Sequence, residues 1–316
     1  MSHSLSGASC RWRPWRLPSP LSPPSSPSVL PHNSRHKSCL SPSTRLRCQR
    51  LSSCDTSPIS GACFRVRSPE LAKNAHQRLL LADIGNSGID CAVVQNDKIT
   101  AFFKANLKVG FAELVEKAGG APQKLVISSV NPPASERLVQ DAAESGVEAL
   151  IAGKDFAIPI RCGLKRPKEV GADRLLVALA AHRRFGASLV VDCGTAITFD
   201  LVSADGVYLG GAIAVGLGIA ADALAQRCAL LPASISPKPN PPLIGKTTEE
   251  ALSSGLLHGF AAMIDCMVER FRQTVEFDFC AVMTGGSSAL LFPLCRNIAD
   301  FIPYLVLEGL FFAFKG

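Results

Sequence analysis

Acidic residues are nearly missing from the first 78 positions, which hold 12 Lys and Arg against only Asp55 and Glu70. That segment also lacks a continuous apolar stretch, which argues against a secretory signal. It is dense in Ser and Pro instead, as in Ser19-Pro20-Leu21-Ser22-Pro23-Pro24-Ser25-Ser26-Pro27. Such a composition buries too little apolar surface to offset chain entropy, so residues 1–78 are expected to be disordered. Arg-rich, Ser-rich and acid-poor is the pattern of an organelle transit peptide, and the Ser/Pro bias favours a chloroplast over a mitochondrion. The plainer alternative is a basic disordered tail on a cytoplasmic protein. Setting the tail aside leaves 21 of 33 basic and 24 of 26 acidic residues in 79–316, a balance of −3. The basic pI therefore belongs to the tail, and the body makes no case for a nucleic-acid partner.

Other absences narrow the body further. Its seven cysteines (Cys91, Cys162, Cys193, Cys228, Cys266, Cys280 and Cys295) form no C-x-x-C and no Cys/His cluster. That excludes a zinc-thiolate site of ordinary spacing, and most of the seven read as buried thiols. Cys193 is also weighed as a redox-sensitive thiol, with simple packing preferred. The two longest uncharged stretches are 17 residues (Phe279 to Cys295) and 16 residues (Gly206 to Ala221). Both fall short of the roughly 20 apolar residues of a membrane span, so no membrane partner is expected.

What the body does contain is a motif that occurs twice. Asp83-Ile84-Gly85-Asn86-Ser87 follows an apolar run at 79–82, and Asp192-Cys193-Gly194-Thr195-Ala196 follows one at 189–191. Each reads as a carboxylate ending the first strand of a hairpin, with a glycine and a hydroxyl in the turn. Glycine lets backbone N–H groups approach an anion, the hydroxyl can bond a phosphate oxygen, and the carboxylate suits an accompanying cation. Around these turns the pattern is strands at 79–84, 88–95 and 98–105, a helix near 111–119, a strand at 124–129 and a helix at 132–145. A strand at 147–152 and a helix near 170–184 complete the first copy. The order then restarts with strands at 187–193, 195–202 and 205–210 and helices at 217–229 and 248–273. A strand at 279–283 and helices at 287–294 and 303–313 end the chain. This predicts two lobes, 79–186 and 187–316, gripping one nucleotide.

A duplicated unit of this kind, with Thr284-Gly285-Gly286 further on, resembles the superfamily of acetate kinase, sugar kinases, heat-shock ATPases and actin. The finer matches resemble the type III pantothenate kinases (Bvg accessory factor family). They include Pro167-Lys168-Glu169-Val170-Gly171-Ala172-Asp173-Arg174, Leu209-Gly210-Gly211-Ala212-Ile213 and Ile244-Gly245-Lys246-Thr247-Thr248, and they run in the family's order through 79–316. The resemblance implies an α/β, duplicated ribonuclease H-like (actin-like ATPase) fold, with mixed sheets flanked by helices. It implies transfer of the ATP γ-phosphate to pantothenate in the first step of coenzyme A synthesis, by a homodimer using Mg2+ with ATP and a monovalent cation (K+ or NH4+).

By the same resemblance Asp173 is the general base, and Gly171, Ala172, Asp173, Arg174 and Thr248 bind the acceptor. Asp83, Ile84, Gly85, Asn86, Ser87, Thr195, Gly285 and Gly286 bind ATP, and Asp192 is the monovalent-cation ligand. Each has a blander counterpart: Asp173 as a carboxylate on a helix dipole, Arg174 as a solvated face, the turns as ordinary hairpins, Gly285-Gly286 as a strand-to-helix turn. Thr248 could be a helix cap, but Thr247 and Glu250 have the capping-box spacing and Thr248 and Ala251 do not. Three positions depart from the family: Ser87 stands for Thr, Leu164 for a substrate-contacting Tyr, and Val215 for Pro. Two further readings stay open, a non-catalytic regulatory homologue and a related kinase for another small hydroxyl substrate. The second draws on Leu164.

Overall fold

The computed structural model describes residues 78–316; the tail expectations lie outside the described residues. Strands β1 (Arg78–Ile84), β2 (Ile89–Gln95) and β3 (Lys98–Ala105) are followed by α1 (Phe111–Ala118), β4 (Lys124–Ser129), α2 (Pro132–Glu144) and β5 (Glu148–Ile151). The next segment carries β6 (Arg161–Cys162), a 3-10 turn (Pro167–Glu169) and α3 (Ala172–Phe185). The second copy has β7 (Ser188–Cys193), β8 (Ala196–Val202), β9 (Val207–Val215), α4 (Leu217–Arg227), α5 (Thr248–Thr274) and β10 (Cys280–Thr284). It ends with α6 (Ser288–Leu291), a 3-10 turn (Phe292–Leu294), β11 (Asp300–Phe301) and α7 (Leu305–Lys315).

The duplication is explicit in strand order. The first sheet runs β3-β2-β1-β4-β5 and the second β11-β10-β7-β8-β9-β6. Read from β9, the second repeats the first, with β6 added at its edge. In both, the hairpin strands are antiparallel and the strand after the helix is parallel to the first. This is the expected mixed-sheet, ribonuclease H-like pair. The two-residue strands β6 and β11 carry too few residues for a period-2 pattern, which is why sequence reading passes over them. The β9 strand continues to Val215, five residues beyond its expected end. The expected helix at 287–294 is one α turn followed by a 3-10 turn over Pro293.

Period-2 alternation divides each strand between two environments. Leu80, Ala82 and Ile84 of β1 face α1 and α2, whereas Leu79 and Leu81 pack with Leu176 and Leu179 of α3 and with Leu307 and Leu310 of α7. In the second sheet Leu189, Val191, Ile197 and Phe199 face α4 and α5. Val190 and Val282 meet Val177, Ala180 and Ala181 of α3. Helix α3 is thus shared by both sheets. The last helix meets the second sheet through Leu305 but packs mainly on α3 and the first sheet. At Gly309 an added Cβ would lie 2.0 Å from the Leu176 carbonyl oxygen, so α7 approaches α3 this closely only with glycine there.

Local signals behave as their chemistry requires. Pro132 and Pro133 open α2, and Asn131 accepts a hydrogen bond from Ala134 N at 3.3 Å. Thr247 caps α5 by accepting from Glu250 N at 3.2 Å, while Glu250 accepts from Lys246 N at 2.7 Å. By length and composition α5 is apolar enough to cross a membrane. Its Leu256, Leu257, Ile264 and Val268, however, are buried in the core under the second sheet, the burial of a core helix.

Candidate active site

The alternation that builds the core also aims the chemistry. Asp83 shares the inner face of β1 with Leu79 and Leu81, and Asp192 shares that of β7 with Val190. Both strands end where α3 begins, and Asp173 stands in the first turn of α3. Three carboxylates therefore converge from two sheets and one helix. Burial raises the Asp83 pKa to about 7, with the charges of Asp173 and Asp192 adding to the effect and Ser128 opposing it. Burial likewise raises Asp192 to about 7, reinforced by Asp173 and Asp200. Asp173 is raised chiefly by burial, against the hydrogen bond it accepts from Arg174 N at 2.8 Å.

The two glycine turns meet. Ser87 Oγ lies 3.1 Å from Thr195 Oγ1, a hydrogen bond between hydroxyls 108 residues apart. Each turn is backed by the parallel neighbour of its strand, with Ser128 of β4 beside Asp83 and Thr284 of β10 beside Asp192. A third turn closes on the second: Ser287 N donates to the Cys193 carbonyl at 2.9 Å. Gly285 has φ +95°, and a Cβ there would lie 2.3 Å from Asp192 Oδ1. At Gly171 a Cβ would lie 2.3 Å from Asp173 Oδ1, so this glycine lets the carboxylate fold back over the start of α3. Hydroxyls and glycine backbone from the turns of both sheets around a set of carboxylates suit a nucleoside polyphosphate and its cation.

Comparison with known proteins shows the family. The family model for type III pantothenate kinase matches residues 79–270. The chain belongs to the type III pantothenate kinase family. It is 39% identical over 248 residues to the type III pantothenate kinase of Thermus thermophilus, covering 73% of this chain and 96% of that one. It is 35% identical over 246 residues to that of Roseiflexus sp., with the same coverage. The crystal structure of a Baf family protein from Campylobacter jejuni has the same fold. Its TM-score is 0.50 at 22% identity, over 75% of this chain and 97% of that one.

Against that family, the site residues divide by what the fold does with them. Asp83, Gly85, Asn86, Ser87, Asp173, Asp192, Thr195 and Gly285-Gly286 lie on converging elements. The Ile84 side chain is fully buried in the first core, so only its backbone is free to meet a nucleotide. Arg174 lines an open pocket of about 450 Å³ with Leu164, Lys165, Arg166, Glu169 and Val170. It is also ion-paired: its Nη2 lies 2.7 Å from Asp200 Oδ1. Thr248 is exposed at the first position of α5. Cys193 has its thiol pushed up to about 12 by burial, the behaviour of packing rather than of a redox centre. Of the seven, only Cys91 and Cys193 are buried, with Cys162, Cys280 and Cys295 half-buried and Cys228 and Cys266 exposed, which corrects the expectation that most are buried thiols.

Asp200, Thr198 and Tyr208 are what motif reading undervalues. Asp200 is fully buried among them and Arg174. The available signal was a carboxylate inside the otherwise apolar run Phe199-Asp200-Leu201-Val202, since a buried acid needs partners.

Proposed function

We propose that this chain transfers the γ-phosphoryl group of ATP to the hydroxyl of pantothenate, with Asp173 as the general base. The observation that carries this is the convergence of Asp83, Asp173 and Asp192 beneath the joined Ser87 and Thr195 turns. Phosphoryl transfer asks a protein mainly to position reactants and neutralise charge, with a base at the attacking oxygen. A carboxyl raised by burial is a better proton acceptor than a solvated Asp, which supports Asp173 in that role. Mg2+ accompanies ATP as the divalent ion of the kinase reaction. Asp192 would hold the monovalent cation, K+ or NH4+; its hard carboxylate oxygens fit such an ion. When bound, that cation would supply positive charge beside the phosphates. Arg174 would receive the acceptor's carboxylate.

The active form is a homodimer. Ile213 and Val215 on β9, Ile219 on α4, and Leu243 and Ile244 before α5 are exposed large apolar side chains. They supply the kind of surface that a second copy would cover. Thr248 follows Ile244 by four residues and is exposed, as a residue reaching the partner's cleft would be. Residues 1–78 direct the protein to a plastid; a fluorescent fusion of that segment that stays cytosolic would refute this.

The test is phosphate transfer by the purified full chain, with and without K+. Pantothenate-dependent turnover that Asp173→Asn lowers about 10²–10⁴-fold in kcat is expected. A folded dimer with no turnover would defeat the reading. Transfer confined to another alcohol would favour the related-kinase alternative. Leu164 supports that second reading, because both tyrosines are committed elsewhere: Tyr208 is fully buried and Tyr304 stacks on Phe102.

A further inference from the structure

Asp200 has 0% exposure, yet donors meet both its oxygens. Arg174 Nε donates to Oδ1 at 2.7 Å, and Tyr208 OH donates to the same oxygen at 2.7 Å. Thr198 Oγ1 donates to Oδ2 at 2.7 Å. A buried carboxylate so matched is held in place rather than merely tolerated.

The network has a direction. Arg174 retains 18% side-chain exposure and lines the pocket beside Leu164 and Lys165. Asp200 occupies Nε and Nη2, leaving Nη1 as the guanidinium nitrogen not held by it. Tyr208 is brought to Asp200 by an irregularity in β9. The register passes from Leu201↔Gly210 to Val202↔Tyr208, so Leu209 is the extra residue and is turned outward. The same bulge sets Gly210 at φ +98°, where an added Cβ would lie 2.8 Å from Leu164 Cδ2. Gly163 N completes the join by donating to the Tyr208 carbonyl at 2.9 Å. One bulge thus seats both the buried end of the arginine network and the wall of the pocket.

We propose that Asp200, steadied by Tyr208 and Thr198, is a positioning residue that aims the Arg174 guanidinium at the acceptor's carboxylate and thereby sets acceptor affinity. This rests on the pantothenate reading above. Asp200 is sealed from solvent, so it reaches the acceptor's carboxylate only through Arg174; its charge is also felt at Asp173 and Asp192, an effect common to every acceptor.

The experiment compares two acceptors on the full chain: pantothenate, and pantothenol, in which a neutral alcohol replaces the carboxylate. Asp200→Asn should raise KM for pantothenate about tenfold or more while kcat stays within about threefold. KM for pantothenol should stay within about twofold, because that acceptor offers Arg174 no charge. Tyr208→Phe keeps the ion pair and the ring, and should give the same pattern at about threefold. It carries the comparison if Asp200→Asn does not fold. Equal losses on both acceptors would mean a purely structural role and overturn the proposal, as would an unchanged pantothenate KM in both variants. A wild-type protein inactive on pantothenate would instead bring down the acceptor reading itself, and this inference with it.

Discussion

Replacing Asp192 should make the cation-free protein more stable at neutral pH while abolishing its function. Asp192 has a folded pKa raised from 3.8 to about 7, mainly by burial. Between those values the folded protein holds a proton that the unfolded chain has released. Stability from this group is therefore fully present below pH 4 and is lost as pH rises through about 7, where it levels off. A shift of three pKa units corresponds to about 4 kcal/mol at 1.36 kcal/mol per unit. Asp192 is partly rather than fully buried by area, and solvent screening reduces this to about 1–2 kcal/mol. Asp192→Asn removes the ionising group and keeps the shape, so at pH 8 it should exceed wild type by that amount. For a body of this size that is about 2–8 °C in Tm. At pH 5 the gap should shrink to about a third, since only about one of the three units has been traversed. The assay is thermal or urea denaturation of both proteins across pH 4–8 in Tris or N-methylglucamine buffers, repeated with K+. The difference between the two proteins cancels the groups Asp192 does not touch, and Asp83, which the Asp192 charge helps raise, moves in the same direction. Added K+ should stabilise wild type at pH 8 and leave Asp192→Asn unmoved. An Asn variant equal to or less stable than wild type at pH 8 would refute the reasoning, because burial would then not be what raises Asp192.

Three other outcomes follow from particular contacts. Gly285→Ala places a methyl group into Asp192 and Cys193 at a positive φ; it should lose about 2–4 kcal/mol in urea denaturation and weaken ATP binding. Leu164→Tyr should lower KM for pantothenate about two- to tenfold by restoring a phenolic hydrogen bond. An unchanged KM would show that Gly210 seats the leucine in a way a ring cannot reproduce. With a maleimide at pH 8, among the described cysteines the exposed Cys228 and Cys266 should react before the buried Cys91 and Cys193 by mass spectrometry, because burial pushes both of those thiols up to about 12.

Much of this protein can be read along the chain because its signals are local. The two hairpins, their Asp-x-Gly-hydroxyl turns, the Pro-opened α2 and the Thr247 cap each depend on residues within a few positions of one another. Their repetition 109 residues apart is itself a sign of duplication. What could not be read this way is contact between the copies. That Ser87 meets Thr195, that α7 reaches across to the first sheet, and that three carboxylates share one field all depend on how two sheets pack about α3. Burial, not motif, then raises Asp83 and Asp192 toward neutrality. Arg174 shows the division most clearly: its place in Gly171-Ala172-Asp173-Arg174 was legible, but its partner was not. Asp200 lies 26 residues away, and a bulge at Leu209 brings Tyr208 to the same carboxylate. The sequence by itself determined where the two Asp-x-Gly-hydroxyl turns lie, because turn chemistry is short-range. Only the tertiary structure decided how those residues are charged and aimed, because desolvation and ion pairing depend on neighbours that the chain alone does not place side by side.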